Sequence, residues 1–201
     1  MKLIILTRPT YFVEEDKIIT SLFEEGMDSL HLFKPNTSPL FYAERLLTLI
    51  PKSFSRKIIV HEHFYLASEY DLGGIHLEQV DNIIPTGFKG NITATCNDIS
   101  ILKGNKKKFK YIFLDNVLTP YNECQPVHSY NILEEAQRNG LIDKKVYAMT
   151  NLSTDNIAMV KNLGFGGIVV RDDLWKHFNI HSQTDYRNII EQFKKIKRAI
   201  G

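Results

Sequence analysis

The chain has almost no cysteine. Cys96 and Cys124 are its only two, and they form neither a CxxC pair nor a metal-ligand spacing. That excludes a disulfide scaffold and a zinc ribbon, and two thiols in a chain with ample core material fit a reducing compartment. An excess of charge of one sign is also missing. Lys and Arg number 25 against 23 Asp and Glu, a formal net charge of +2, which predicts neither a nucleic-acid binder nor a membrane-surface protein. No apolar run approaches the roughly 20 residues of a membrane span, and the apolar stretch between Lys2 and Thr7 is too short for a signal-peptide core. A soluble, cytoplasmic protein is expected. The lysines crowded into 103–110 are read as a solvated surface turn.

What is present is a regular alternation. Of 201 residues 43% are apolar, enough for a single core spanning 1–201 and short for two ordinary domains. Short runs rich in β-branched residues lie at 3–6, 29–33, 57–60, 74–77, 91–95, 111–114, 145–149 and 167–170. Their near-continuous apolar character marks strands buried on both faces of a parallel sheet. Segments of helical period separate them at 13–25, 40–50, 129–141, 153–163 and 185–200. Strands joined by helical crossovers are parallel, and eight such steps predict an α/β fold, a single (β/α)8 TIM-type barrel. An open Rossmann-like sheet is the competing topology, but no GxGxxG follows the first strand.

Barrels of this kind carry their chemistry at the C-terminal strand ends. Those positions hold Thr7 and Arg8; His31 and Lys34; His61, Glu62 and His63; His76, Glu78 and Asp81; Thr95; Asp115 and Asn116; Thr150 and Asn151; and Arg171 with Asp172 and Asp173. Helix N-capping accounts for some of them, with Asp98, Asp155 and Asp172 as candidate caps. It does not account for paired histidines beside a glutamate. His61 and His63, two residues apart at a strand end, can present two imidazoles to one metal, or can be half-buried loop histidines. A zinc hydrolase needs a third histidine as well. Two carboxylates on adjacent strand ends, Glu62 and Asp81, suit a hard cation such as Mg²⁺ better.

The stretch Ile58-Ile59-Val60-His61-Glu62-His63-Phe64-Tyr65-Leu66-Ala67, followed by Gly74-Ile75-His76-Leu77-Glu78-Gln79-Val80-Asp81, resembles thiamine phosphate synthase, whose members read roughly IVNDRVDLA and GVHLGQED here. The likeness extends to Ser29–Lys34, Val146–Leu152 and Gly166–Val170, so it spans nearly the whole chain. It implies a transferase of thiamine biosynthesis that joins hydroxymethylpyrimidine diphosphate to thiazole phosphate and releases pyrophosphate with Mg²⁺. Carried over residue by residue, Glu62 and Asp81 take the metal positions. His31, Lys34 and His61 become the catalytic candidates, and Arg8, Thr95, Asn116, Thr150, Asn151 and Arg171 the substrate- and phosphate-binding ones. The implied partners are small phosphorylated pyrimidine and thiazole substrates, with no nucleic acid and no membrane; a homo-oligomer is compatible with them.

Departures from the family pattern are substantial. Its Gln, Arg and Lys after the second strand are His31, Phe33 and Pro35, with Lys34 one position off; its Asn beside the first metal ligand is His61. Its Thr-x-Thr-Lys segment after the sixth strand is replaced by Asp115-Asn116-Val117-Leu118-Thr119-Pro120-Tyr121-Asn122. Thr150-Asn151 stands in place of a phosphate-binding Gly-Gly, and Arg171-Asp172 in place of a small Ser-Ala pair. Two alternatives stay open: a thiazole tautomerase-like relative, whose characteristic histidine would fall at Asn116, and a non-catalytic barrel that binds a thiamine precursor. Arg171 is expected either to grip phosphate or to close the site by pairing with Asp172, Asp173 or Asp115.

Overall fold

A computed structural model describes residues 1–35, 40–118, 127–176, 178–179 and 185–201. The strands are Lys2–Leu6 (β1), Ser29–Leu32 (β2), Ile58–Val60 (β3), Gly74–Leu77 (β4), Ile92–Cys96 (β5), Ile112–Leu114 (β6), Val146–Met149 (β7) and Gly167–Val170 (β8). Each pairs in parallel with its sequence neighbours, and β8 pairs with β1 to close the barrel. The expected (β/α)8 architecture is present, because strands buried on both faces leave no edge for water once β1 meets β8.

The helices are Glu15–Glu24 (α1), Leu40–Leu49 (α2), Leu66–Glu69 (α3), Leu102–Asn105 (α4), Tyr130–Arg138 (α5), Thr154–Asn162 (α6), Asp172–Trp175 (α7) and Arg187–Ile200 (α8). The five longer ones lie inside the segments of helical period. An even strand–helix alternation does not hold, however. The β4–β5 connection contains no helix, since Pro85, Gly87 and Gly90 interrupt it. The helices after β3 and β5 are single turns, and β8 is followed by two helices. Of the expected caps, Asp98 accepts from the Ser100 amide at 2.8 Å. Ser153 rather than Asp155 caps α6, and Asp172 lies inside the first turn of α7. Within the lysine-rich turn Lys106 is not simply solvated: its Nζ donates to the Gly140 and Leu141 carbonyls and pairs with Asp143.

Alternation along each strand sorts the core into two parts. Leu3, Ile5, Leu30, Leu32, Ile58, Val60, Ile75 and Leu77 face the helices and join one continuous apolar layer. Residues of the opposite parity fill the barrel, where Ile4, Tyr111, Phe113, Tyr147, Met149 and Val169 form a separate cluster. The Tyr111 and Tyr147 rings stack at 4.5 Å between centroids. On the same parity, His31, His76 and Thr93 are buried polar residues. The loops above are tied down by buried donors: Trp175 Nε1 donates to the Leu6 carbonyl at 2.8 Å, and the Leu152 amide donates to Asp173 at 2.9 Å. Among the described residues no helix is long and apolar enough to cross a membrane.

Gly167 makes room for this interior. A Cβ there would lie 2.7 Å from the Tyr147 ring and 2.8 Å from the Lys2 carbonyl oxygen, whereas at Gly104 in α4 it would meet nothing within 4 Å. We therefore expect Gly167→Ala to destabilise the fold by roughly 1–3 kcal/mol through overpacking. Gly104→Ala should instead stabilise it by about 0.4–1 kcal/mol by restricting the unfolded chain. Urea unfolding of the two variants checks both signs.

Candidate active site at the barrel mouth

Three imidazoles converge from three adjacent strands. His31 on β2 and His76 on β4 are buried, and His61, one residue past β3, is half-buried. His31 Nδ1 lies 2.9 Å from His61 Nε2, and His31 Nε2 lies 2.8 Å from the Tyr111 hydroxyl. His76 Nδ1 meets Thr93 Oγ1 at 2.8 Å and its Nε2 meets Thr95 Oγ1 at 2.9 Å. His61 and His76 stack at 4.1 Å, and Phe113 supports His31 and His76 from below at 4.6 and 4.7 Å. Phe33 meets His61 edge-on at 5.5 Å.

Burial keeps all three rings neutral. It drives His31 and His76 well below the ordinary histidine value, with neighbouring imidazoles adding to the effect. His61 is brought down to about 3, first by burial and then by the nearby Arg171. His63, read from sequence as a partner of His61, does not join this cluster. Its φ of 51° breaks the extended geometry that would have kept residues two apart on one face.

Lys34 is placed away from the reacting volume. Its ammonium is buried against Glu15 at 2.6 Å, donates to the Thr10 carbonyl at 3.0 Å and lies 4.4 Å from the centre of the Tyr11 ring. Burial lowers the Lys34 value, with Arg8 contributing, while burial raises Glu15 to about 7 against the pull of Lys34. Glu15 Oε2 has no hydrogen-bond partner among the described residues. A cleft of about 670 Å³ lies beside this pair, lined by Tyr11, Glu15, Tyr42 and Arg45, and so sits to one side of the histidines.

The carboxylates expected to hold a cation stand apart in environment. Glu62 is half-buried, and one of its oxygens accepts from the Lys34 amide at 3.0 Å. Burial raises its value, with the neighbouring Glu78 adding to the effect and Lys34 opposing it. Asp81 is exposed and its charge reaches Cys96. These oxygen donors fit a hard cation such as Mg²⁺.

Across the mouth Arg171 lies 3.7 Å from Asp172, its charge is felt by both Asp115 and His61, and its side chain is half-exposed. Asn116 is buried in a left-handed conformation with φ 53°, and its carbonyl accepts from the His128 amide. Thr150 is buried. Asn156 Nδ2 bridges it and the Asn151 carbonyl, at 3.4 and 2.9 Å. Thr119, Pro120, Tyr121, Asn122 and Cys124 fall outside the described residues. Of the sequence-derived candidates, His31, His61 and Thr95 are brought together, Arg171 stands near them, and Lys34 is drawn off into an ion pair.

Sequence reasoning missed Tyr111 and Thr93 beside the histidines, and Glu15 as the partner that draws Lys34 away. For Tyr111 a signal existed: Tyr111 and Phe113 alternate as Ser29, His31 and Phe33 do, which places them on the inward face. For Glu15 there was none, since an acidic residue in a first helical turn is ordinarily exposed.

A closed eight-stranded barrel with buried histidines, an arginine and carboxylates gathered at the C-terminal ends of its strands defines the class: a (β/α)8 barrel. Among solved structures the chain is similar to a thiamine phosphate pyrophosphorylase from Bacteroides thetaiotaomicron, at 44% identity over 99% of this chain and 97% of that one, with a TM-score of 0.88. A thiamine phosphate pyrophosphorylase from Pyrococcus furiosus shares the fold at 18% identity, covering 100% and 97%, with a TM-score of 0.72. So does a mutant tryptophan synthase α-subunit from Pyrococcus furiosus, at 15% identity, covering 99% and 97%, with a TM-score of 0.65. No protein-family model and no curated protein matches the chain. The chain belongs to the thiamine phosphate pyrophosphorylase family, a family of thiamine biosynthesis.

Two outcomes test the electrostatics. Because His31 and His76 titrate lower in the folded than in the unfolded state, the unfolded chain takes up their protons first as pH falls. The contribution of the two rings is therefore complete above about pH 6.5 and falls below it, by up to about 1.4 kcal/mol per pH unit for each ring, offset in part by Glu15, whose raised value adds stability as pH falls. Denaturant midpoints measured from pH 7.5 to 5 should drop steeply, and a flat profile would contradict neutral buried rings. Replacing Lys34 by Ala leaves Glu15 buried without its partner and should cost about 3–5 kcal/mol, read from urea unfolding at pH 8.

Proposed function

We propose that this protein is a thiamine phosphate synthase-type transferase, joining hydroxymethylpyrimidine diphosphate to thiazole phosphate and releasing pyrophosphate. The observation that carries this reading is the 44% identity to a thiamine phosphate pyrophosphorylase, sustained over 99% of the chain. The C–O bond between the pyrimidine methylene and the diphosphate breaks with its electron pair leaving on pyrophosphate. The thiazole ring nitrogen then supplies the pair that forms the new C–N bond. Positive charge develops on the pyrimidine between those events.

The residues at the mouth suit that charge. His61 is uncharged and flanked by Phe33, so it can lie against a cationic pyrimidine without repelling it. The bond from His61 to His31, and from His31 to Tyr111, fixes the ring so that it need not reorient as charge appears. Lys34 is committed to Glu15, so the cations assigned to the two phosphate groups are Arg8, past the end of β1, and Arg171, past the end of β8. A guanidinium grips phosphate through two parallel hydrogen bonds where Thr150 and Asn151 no longer allow close backbone approach. Glu62 and Asp81 would hold Mg²⁺, which when bound neutralises charge on the leaving pyrophosphate. Localisation in the cytoplasm and small phosphorylated substrates as the partners belong to the same proposal.

The test is incubation with both precursors and Mg²⁺, following thiamine phosphate and pyrophosphate together. Equal amounts of the two products are expected, with Arg171→Ala raising the KM for thiazole phosphate roughly 10- to 150-fold, equivalent to about 1.5–3 kcal/mol. If thiazole phosphate binds but no pyrophosphate appears, the transferase reading fails and a binding-only relative replaces it. If Arg171→Ala binds phosphate as well as the parent, Arg171 closes the site through Asp172 and Asp115 instead of anchoring substrate.

A further inference from the structure

We propose that His31, His61 and His76 form a binding site for a borderline transition-metal dication, Zn²⁺ or Co²⁺, on the barrel axis beneath the mouth. The carboxylates assigned to Mg²⁺ take no part in it, and none of its observations comes from the transferase reading, which uses the same rings in their metal-free, neutral state.

Proximity is the first observation. One ring nitrogen from each of the three histidines lies within 4.8 Å of the other two. A tetrahedral ion with imidazole ligands at 2.0–2.1 Å needs its nitrogens about 3.3 Å apart. His31 Nδ1 and His61 Nε2 are at 2.9 Å, so the pair must open by about 0.4 Å and both rings must turn to aim their lone pairs at one centre.

The outer partners are the second observation. A histidine that binds metal through one nitrogen ordinarily donates its other N–H to a fixed acceptor, which sets the tautomer and holds the ring. Thr93 Oγ1 already donates its single proton to the Ile75 carbonyl at 3.1 Å. In its 2.8 Å contact with His76 Nδ1 it must therefore accept, leaving the lone pair on His76 Nε2. Thr95 now donates to that lone pair, at 2.9 Å. Tyr111 stands in the equivalent place for His31, 2.8 Å from Nε2, with the lone pair then on Nδ1. Both buried rings thus have a built outer partner on one nitrogen and a nitrogen left to face the centre.

Insertion of an ion needs a change of tautomer and a small rearrangement, in which His76 moves inward and tilts off its 4.1 Å stack with His61. The hydrogen shared between His31 Nδ1 and His61 Nε2 moves to the far nitrogen of whichever ring carries it, Nε2 of His31 or Nδ1 of His61, and the Thr95 hydroxyl turns away from His76. Three neutral ligands then surround the ion, no proton is released, and the fourth position is left to Thr95 Oγ1 or water. Three imidazoles with one open position is a composition used by catalytic zinc sites, and nitrogen donors select against Mg²⁺. The aliphatic residues that commonly fill such interiors would have served packing alone.

The experiment uses the full chain stripped of metal by chelation and gel filtration, titrated with Co²⁺ alone and with Zn²⁺ alone, without substrate. One equivalent of Co²⁺ is expected to give the intense visible bands of a four-coordinate ion, Zn²⁺ to displace it, and excess Mg²⁺ to leave it in place. His61→Asn and His76→Gln should weaken Zn²⁺ binding roughly 100-fold or more, and Thr93→Val about 10- to 100-fold by releasing the outer partner. His63→Asn, outside the cluster, should leave it unchanged. Thermal unfolding supplies a readout for variants of altered stability: Zn²⁺ should raise the midpoint of the parent and of His63→Asn, and not that of His61→Asn. The site is overturned if neither ion binds the parent at equimolar concentration. It is equally overturned if binding survives in both His61→Asn and His76→Gln, which would assign the metal to surface groups. In either case the three rings are an internal hydrogen-bonded packing layer.

Discussion

The pairing of β1 with β8, Lys2 to Gly167 through Ile5 to Val170, turns a twisted ribbon of eight strands into a closed cylinder. Once the sheet is closed, every inward side chain must find its partners among the other inward side chains, because the interior is packed and not a water-filled pore. In the lower half the solution is aromatic and aliphatic, with Tyr111 stacked on Tyr147 and Ile4 and Val169 around them. In the upper half it is polar. His31, His76, Thr93 and Thr95 can occupy that space only because each ring nitrogen meets a hydroxyl or another imidazole.

This arrangement joins the interior to the mouth. His61 belongs to both: its ring stacks on His76 and bonds to His31 below, while Arg171 acts on it from the rim. A mouth resting on neutral rings differs from one lined by charges. Its floor is uncharged and polarisable, and charged groups, Arg171 and Asp172 among them, stand around the edge. Lys34 marks the same division. Its charge is taken up by Glu15, while Arg171 stands at the rim beside Asp172.

Much of this was legible from residues alone. Each of the eight strands appears within one residue of its predicted bounds, because a strand buried on both faces must be a short run of apolar residues and little else in a chain looks like that. The polar residues closing each run mark the C-terminal strand ends in the sequence itself. The single-turn helices α3, α4 and α7 were not legible. Four residues give no period, and their helical geometry comes from the contacts of Leu66, Leu102 and Trp175 with the core.

The sequence by itself determined the number and order of the strands, the parallel topology and the family, since periodicity, crossover length and the block around Gly74–Asp81 are local properties of the chain. Only the tertiary structure decided which polar residues share a site. The pairing of His61 with His31 and His76 instead of His63 follows from parity across three strands and from the turn at φ 51°. The loss of Lys34 to Glu15 depends on a contact between residues 19 apart, made where α1 packs beside the end of β2. Distances of that kind are set by barrel closure, which acts on the whole chain at once and leaves no trace in any one segment.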